Sequence, residues 1–207
     1  MTGLRERKKL QTRREISAAA ERLFRARGFD AVTIEEVAEA AGVSKKTVFN
    51  YFATKEELVF DRVEEREAGL IAAVRDRPAG ISVLDSFRAG SLAYCDQLAQ
   101  ERPGYQRGGF FALVEQSPVL ARRWHQLRNH YNEVLAGELA AEAGASPDDP
   151  LPTVVASALL GAERAVMRAS RMKLQAGEVP AEVAGWLRPQ VERIYDQLAA
   201  GIGSYPP

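Results

Sequence analysis

The sequence predicts an all-α protein: a three-helix head at 1–53 and a larger helical body at 54–207, with about nine helices altogether. Three observations predict it. Every long segment repeats its apolar residues with helical period. No alternating run and no Asn-Gly or Asp-Gly turn argues for a strand. Residues that start and stop helices recur between the periodic stretches. With 46% apolar and 27% charged residues in 207, the chain can bury a core. No segment approaches the roughly 18 apolar residues of a membrane span.

The first helix is expected over about 8–27: Ile16, Ala20, Leu23 and Phe24 form its stripe, and Gly28 stops it. The second starts at Thr33, with Glu36 completing a capping box, turns Ile34, Val37, Ala38 and Ala41 inward, and ends at Gly42. The third starts at Ser44 and runs to about Asn50. The fourth is expected from Thr54, boxed by Glu57, through Leu58, Val59, Val63, Leu70 and Val74 to the break at Arg77-Pro78-Ala79-Gly80. The fifth runs from Ser82, boxed with Asp85, to about Gln100, and Pro103-Gly104 precedes a short sixth at about 105–116. Ser117-Pro118 opens the seventh, about 118–143, with Leu120, Trp124, Leu127, Tyr131, Val134 and Leu135 on one stripe. A proline-rich loop, Gly144 to Pro152, leads to the eighth at about 151–175. The ninth, about 180–201, contains Pro189, which should kink or split it.

The second and third helices are short and joined by Ala41-Gly42-Val43-Ser44, the spacing of a helix-turn-helix. Val48 and Phe52 should face inward, leaving Lys45, Lys46, Thr47, Phe49, Asn50 and Tyr51 outside. That surface suits a duplex. Lysines reach guanine edges or phosphates, Thr47 and Phe49 can touch a thymine methyl, and Asn50 can pair with adenine. Lys55, placed in the first turn of the fourth helix, could hold a phosphate with the free amides there. The bland alternative makes Phe49 and Tyr51 partial core and the lysines mere solubility. Net charge is zero, yet residues 1–60 hold 12 basic against 9 acidic residues and the remainder 16 against 19. Within the first fourteen, Arg5, Arg7, Lys8, Lys9, Arg13 and Arg14 face only Glu6. Such an arm either meets polyanion or is simply a solvated, frayed end.

The runs Thr33-Ile34-Glu35-Glu36-Val37-Ala38, Gly42 through Phe52, and Lys55-Glu56-Glu57-Leu58 resemble the DNA-binding domain of the TetR family of bacterial regulators over about residues 10–60. The resemblance implies a homodimer and operator contacts at Thr33, Ser44, Lys45, Lys46, Thr47, Phe49, Asn50, Tyr51 and Lys55. Lys46 stands where the family often has a small residue or proline, which bears on base preference rather than docking. It implies a double-stranded, palindromic operator, a small and largely apolar effector sensed by the body, and a repressor released when the effector binds. In that scheme the fourth helix carries the movement, continuous with the head through Lys55. The other reading is a helix-turn-helix binder with no effector.

For the body, the small residues Ala156, Ala158, Gly161, Ala162, Ala165 and Ala169 of the eighth helix allow close helix approach. The ninth offers Leu187, Val191, Ile194 and Leu198. The resemblance implies that these two helices form the dimer interface as a four-helix bundle; the alternative is that both line the monomer core. Phe87, Tyr94, Cys95, Phe110, Phe111, Trp124, Leu127, Tyr131 and Arg164 are the candidate effector-lining residues, and each would serve equally as plain core. No metal site is expected: His125 and His130, five apart, stand about 140° apart around a helix. No cofactor loop, HExxH or nucleophile elbow is present, so no catalysis is expected. One cysteine, Cys95, forbids an internal disulfide, and the start lacks an apolar leader; both fit a cytoplasmic protein.

Overall fold

The computed structural model describes residues 3–101 and 109–202, apart from the side chains of Leu4, Arg5 and Phe110. Nine α-helices and no strand occur among the described residues: α1 (Leu4–Arg27), α2 (Ile34–Ala40), α3 (Lys45–Tyr51), α4 (Val63–Arg75), α5 (Val83–Ala99), α6 (Gly109–Gln116), α7 (Pro118–Ala143), α8 (Leu151–Gln175) and α9 (Pro180–Ile202). A single 3₁₀ turn, Glu56–Leu58, lies between α3 and α4. No described helix is long and apolar enough to cross a membrane.

The chain forms two compact units. Among the described residues the first holds 3–64 and 109–126, the helix-turn-helix head together with α6 and the start of α7. Its core is Ile16, Ala19, Ala20 and Phe24 of α1, Val37 and Ala38 of α2, Val48 of α3, and Phe29, Val32, Phe52, Leu58 and Phe60 from the connections. Ser117 donates to the Asp30 carboxylate at 3.1 Å, fastening the loop before α7 to the loop after α1. Among the described residues the second unit contains 65–101 and 127–202. In it α9 packs along α5 and α8, burying Phe87, Cys95, Leu98, Leu159, Val166, Val183, Leu187, Val191 and Tyr195. The Tyr195 hydroxyl meets Ser91 Oγ at 2.9 Å, and burial pushes its pKa up to about 12. Along α4, Arg66 pairs with Glu163, Arg75 with Glu138, and the following Arg77 with Glu142.

Two expectations are corrected. The fourth helix does not start at Thr54. Its first residues make only the 3₁₀ turn, and α4 begins at Val63. Leu58 and Phe60, two residues apart, are both buried in the head, whereas an α-helix would point them about 200° apart. Burying both therefore requires a break. Glu57 accepts from the Ala53 amide at 2.7 Å, one residue ahead of the expected box. The ninth helix is continuous from Pro180 to Ile202 despite Pro189. Pro189 and Gly185, whose carbonyl loses its partner, are both exposed, so water can satisfy that carbonyl.

Candidate functional site

The helix-turn-helix is assembled by local chemistry before any packing. Thr33 Oγ1 accepts from the Glu36 amide at 3.2 Å, and Glu36 Oε2 accepts from the Thr33 amide at 2.7 Å. That amide bond, then Arg27 and the Thr33 hydroxyl, holds the Glu36 carboxyl down at about 2. The turn needs Gly42, whose φ of +66° lies in the left-handed region where a Cβ is disfavoured. Ser44 Oγ accepts from the Thr47 amide at 3.0 Å and shares a 2.8 Å bond with Thr47 Oγ1. Seven residues cannot hold a helix alone in water. Val48, at 0% exposure, and Phe52, at 1%, supply what α3 lacks by sealing its inner side against the head.

Its outer side remains open. Lys45, Lys46, Asn50 and Phe49 are exposed, Phe49 by 44%, while Thr47 and Tyr51 are half-buried at the edges. Lys45 pairs with Glu35 of α2 and sits 5.9 Å over the Phe49 ring. Its hydrogen bond lowers the Glu35 pKa. Both partners are exposed, so the pair is weak and Lys45 easily exchanges Glu35 for another anion. Thr33 and Ser44 are exposed but their hydroxyls are spent as caps.

Lys55 departs from its expected place. It precedes the 3₁₀ turn instead of opening a long helix, and its ammonium donates to the Phe29 carbonyl at 2.6 Å, 4.2 Å from that ring. Desolvation lowers its pKa. The charge is folded into the head rather than held out on free helix amides.

Arg13 is the residue that sequence reading assigned only as arm charge. Its guanidinium donates to the Tyr51 carbonyl at 3.1 Å and the Asp61 carbonyl at 3.2 Å, and lies 4.6 Å from the Phe52 ring. It thus caps the end of α3 and ties it to the chain leading into α4. The available signal was its register, three residues before buried Ile16 and so on the inner face of α1.

The nine candidate effector residues are divided between the two units. Phe110 lies outside the described side chains. Phe111 and Trp124 belong to the first unit, where Trp124 stacks on Phe60 with centroids 6.3 Å apart and meets Phe111 edge-on at 6.0 Å. In the second unit Phe87, Cys95, Leu127 and Tyr131 are buried core, and burial raises the Cys95 thiol. Tyr94 hydrogen-bonds Ser170 at 2.7 Å. Arg164 is exposed on α8 rather than lining an interior. Two of the clefts on the described part of this unit are lined by other residues. One, of about 370 Å³, lies beside the Arg75–Glu138 and Arg77–Glu142 pairs. The other is an open groove of about 500 Å³ between α8 and α9, lined by Ala158, Gly161, Ala162, Ala165, Ile194 and Leu198 with Arg193 and Gln197. Leu187 and Val191, expected on the same face, are buried within the unit instead. His130 meets Glu67 at 3.0 Å.

Residues 16–61 match the sequence model of a family described as bacterial regulatory proteins, tetR family. The chain is 32% identical over 174 residues to the HTH-type transcriptional regulator TcmR of Streptomyces glaucescens, spanning 80% of this chain and 76% of that protein. It is 28% identical over 155 residues to a mycofactocin biosynthesis transcriptional regulator, MftR, of Mycobacterium tuberculosis, spanning 75% and 77%. Its fold is like that of NalD, the secondary repressor of the MexAB-OprM multidrug efflux pump in Pseudomonas aeruginosa, with a TM-score of 0.58 at 20% identity over 88% of this chain and 96% of that one.

Proposed function

The chain belongs to the TetR family of bacterial transcriptional regulators, and on that premise we propose that it is a homodimeric repressor whose α3 reads a palindromic operator in the major groove. The observation that carries this reading is the division of α3 into a sealed side, Val48 with Phe52, and an open side of Lys45, Lys46, Phe49 and Asn50. Thr33, Ser44, Thr47 and Tyr51 border that surface and contribute through backbone or edge contacts. Lys55 acts as a brace for the head. Random-pool selection with the purified protein tests the reading: enrichment of a two-fold symmetric site supports it, and recovery of unenriched sequence contradicts it.

Dimerisation falls to the α8–α9 groove in this proposal. Its floor is small residues, its rim is apolar, and Val154 and Met172 on α8 are more than half exposed. Two recognition helices must stand about 34–36 Å apart, or a multiple of that, to meet successive grooves, which one chain cannot supply.

The effector is a small, largely apolar molecule entering the second unit near Tyr94, Phe87 and Tyr131. Its binding displaces α4 and releases the operator. A constitutive binder with no effector is the second reading, favoured by the tight burial of Phe87, Cys95 and Leu127. A thermal-shift panel of acyl and aromatic compounds, followed by operator release, separates the two. Stabilisation with release supports the first reading, and inertness to every compound supports the second.

A further inference from the structure

Where α7 and α8 meet, cations gather without carboxylates. Ser157 Oγ donates to Asn132 Oδ1 at 3.0 Å, joining the two helices and leaving the Asn132 amide N–H groups to donate elsewhere. Arg128 stands one turn before Asn132 on α7, and Arg164 two turns after Ser157 on α8, each on the same side of its helix as the bonded residue. Arg168 follows Arg164 by one more turn and is exposed. α7 holds no acidic residue from Pro118 through Asn132, and Glu163, the one acidic residue of α8, is committed to Arg66 of α4. Arg128, Arg164 and Arg168 have no hydrogen-bond or ion-pair partner among the described residues.

Arg128 and Arg164 are close enough to oppose each other. Desolvation, and after it the charge of Arg128, lowers the Arg164 pKa. The Arg164 Nη2 folds back along its own helix, 3.6 Å from where a Cβ on Gly161 would stand. Arg128 is half-buried, and its Nε–H is covered by protein without meeting an acceptor. Its stem is therefore held in place, and its fork stays beside Arg164 instead of swinging into solvent. A covered donor without an acceptor is costly, and two like charges held together add to that cost. An oxyanion that accepts hydrogen bonds from both forks offsets the repulsion, in the arrangement where arginine binds most strongly. We propose that Arg128 and Arg164, with Asn132 and Arg168 beside them, form an anion site on the second unit that takes the carboxylate or phosphate group of a small molecule. The site stands apart from the buried Phe87, Leu127 and Tyr131, and it does not depend on the operator reading.

Calorimetry and thermal melting of the whole chain test it, with inorganic phosphate, hexanoate and hexyl phosphate as probes. Hexanol serves as the uncharged control, and sodium chloride holds the ionic strength constant. The wild type is expected to bind at least one of the three anions and not hexanol. Arg128→Gln and Arg164→Gln should each weaken that binding by about tenfold or more. Binding of the two phosphates without hexanoate marks a phosphate ligand, and binding of hexanoate without them marks a carboxylate. In chloride alone Arg164→Gln should melt no lower than the wild type, because it relieves like-charge repulsion and removes no bond. The proposal is overturned if none of the three anions binds, if both variants bind as tightly as the wild type, or if Arg164→Gln melts lower in chloride. It is also overturned if either variant breaks up the wild-type assembly by light scattering, a result that makes a second copy's carboxylates the occupant.

Discussion

At the scale of single residues, this protein's surface chemistry is set by which polar groups are already spent. Thr33, Ser44 and Lys55 are committed to the head's own backbone, whereas Lys46 and Asn50 are not. Asn50→Ala should therefore cost about 1–3 kcal/mol of operator binding and relax preference at one base pair, read by selection with the variant. Thr33→Ala should cost about 1 kcal/mol of stability by thermal melting, because it orphans the Glu36 amide. Glu36 brings a pH dependence. Its folded pKa, about 2, lies below the ordinary 4.5, so the stability it contributes is complete above 4.5 and lost as pH falls from 4.5 toward 2. The wild type's melting temperature should drop more steeply across that window than that of Glu36→Gln; parallel curves would remove the capping account. The inward and outward sides of α3 were legible because they follow from spacing alone. Arg13 and Lys55 were not, because a cation's direction depends on which carbonyls the tertiary fold leaves nearby.

Among the elements, the caps marked the starts of α2, α3 and α5. Thr33, Ser44 and Ser82 all accept from the amide three residues on, and α7 and α8 run where apolar periodicity and prolines place them. The fourth helix starts later than its capping signal because Leu58 and Phe60 are both drawn into the head, and that tertiary demand outweighs the cap at Thr54. Gly42 fixes the angle between α2 and α3. Gly42→Ala meets open space but must adopt φ of +66°, so about 1–2 kcal/mol should be lost. Operator affinity should fall by more than that stability loss explains, since the turn aims α3; proportionate losses would argue that Gly42 has no such role.

For the whole molecule, the two compact units divide the work that the proposal assigns them. The groove between α8 and α9 was half legible. Small residues flagged α8, but Leu187 and Val191 went to the interior because α9 packs on α5 as well. Ile194→Glu should place an unpaired charge in the dimer contact, giving the mass of one chain by light scattering and a large loss of operator affinity; an intact dimer would move the interface elsewhere. The effector residues were least legible, since an aromatic stripe looks the same whether it fills a core or borders a cavity. The account's central claim is that the open side of α3 enters a duplex. Anisotropy titration of the selected operator with Lys45→Ala/Lys46→Ala/Asn50→Ala tests it most directly. The account predicts at least a hundredfold weaker binding, three contacts' worth at about 1–3 kcal/mol each, with an unshifted melting temperature. Wild-type affinity in that variant would contradict it.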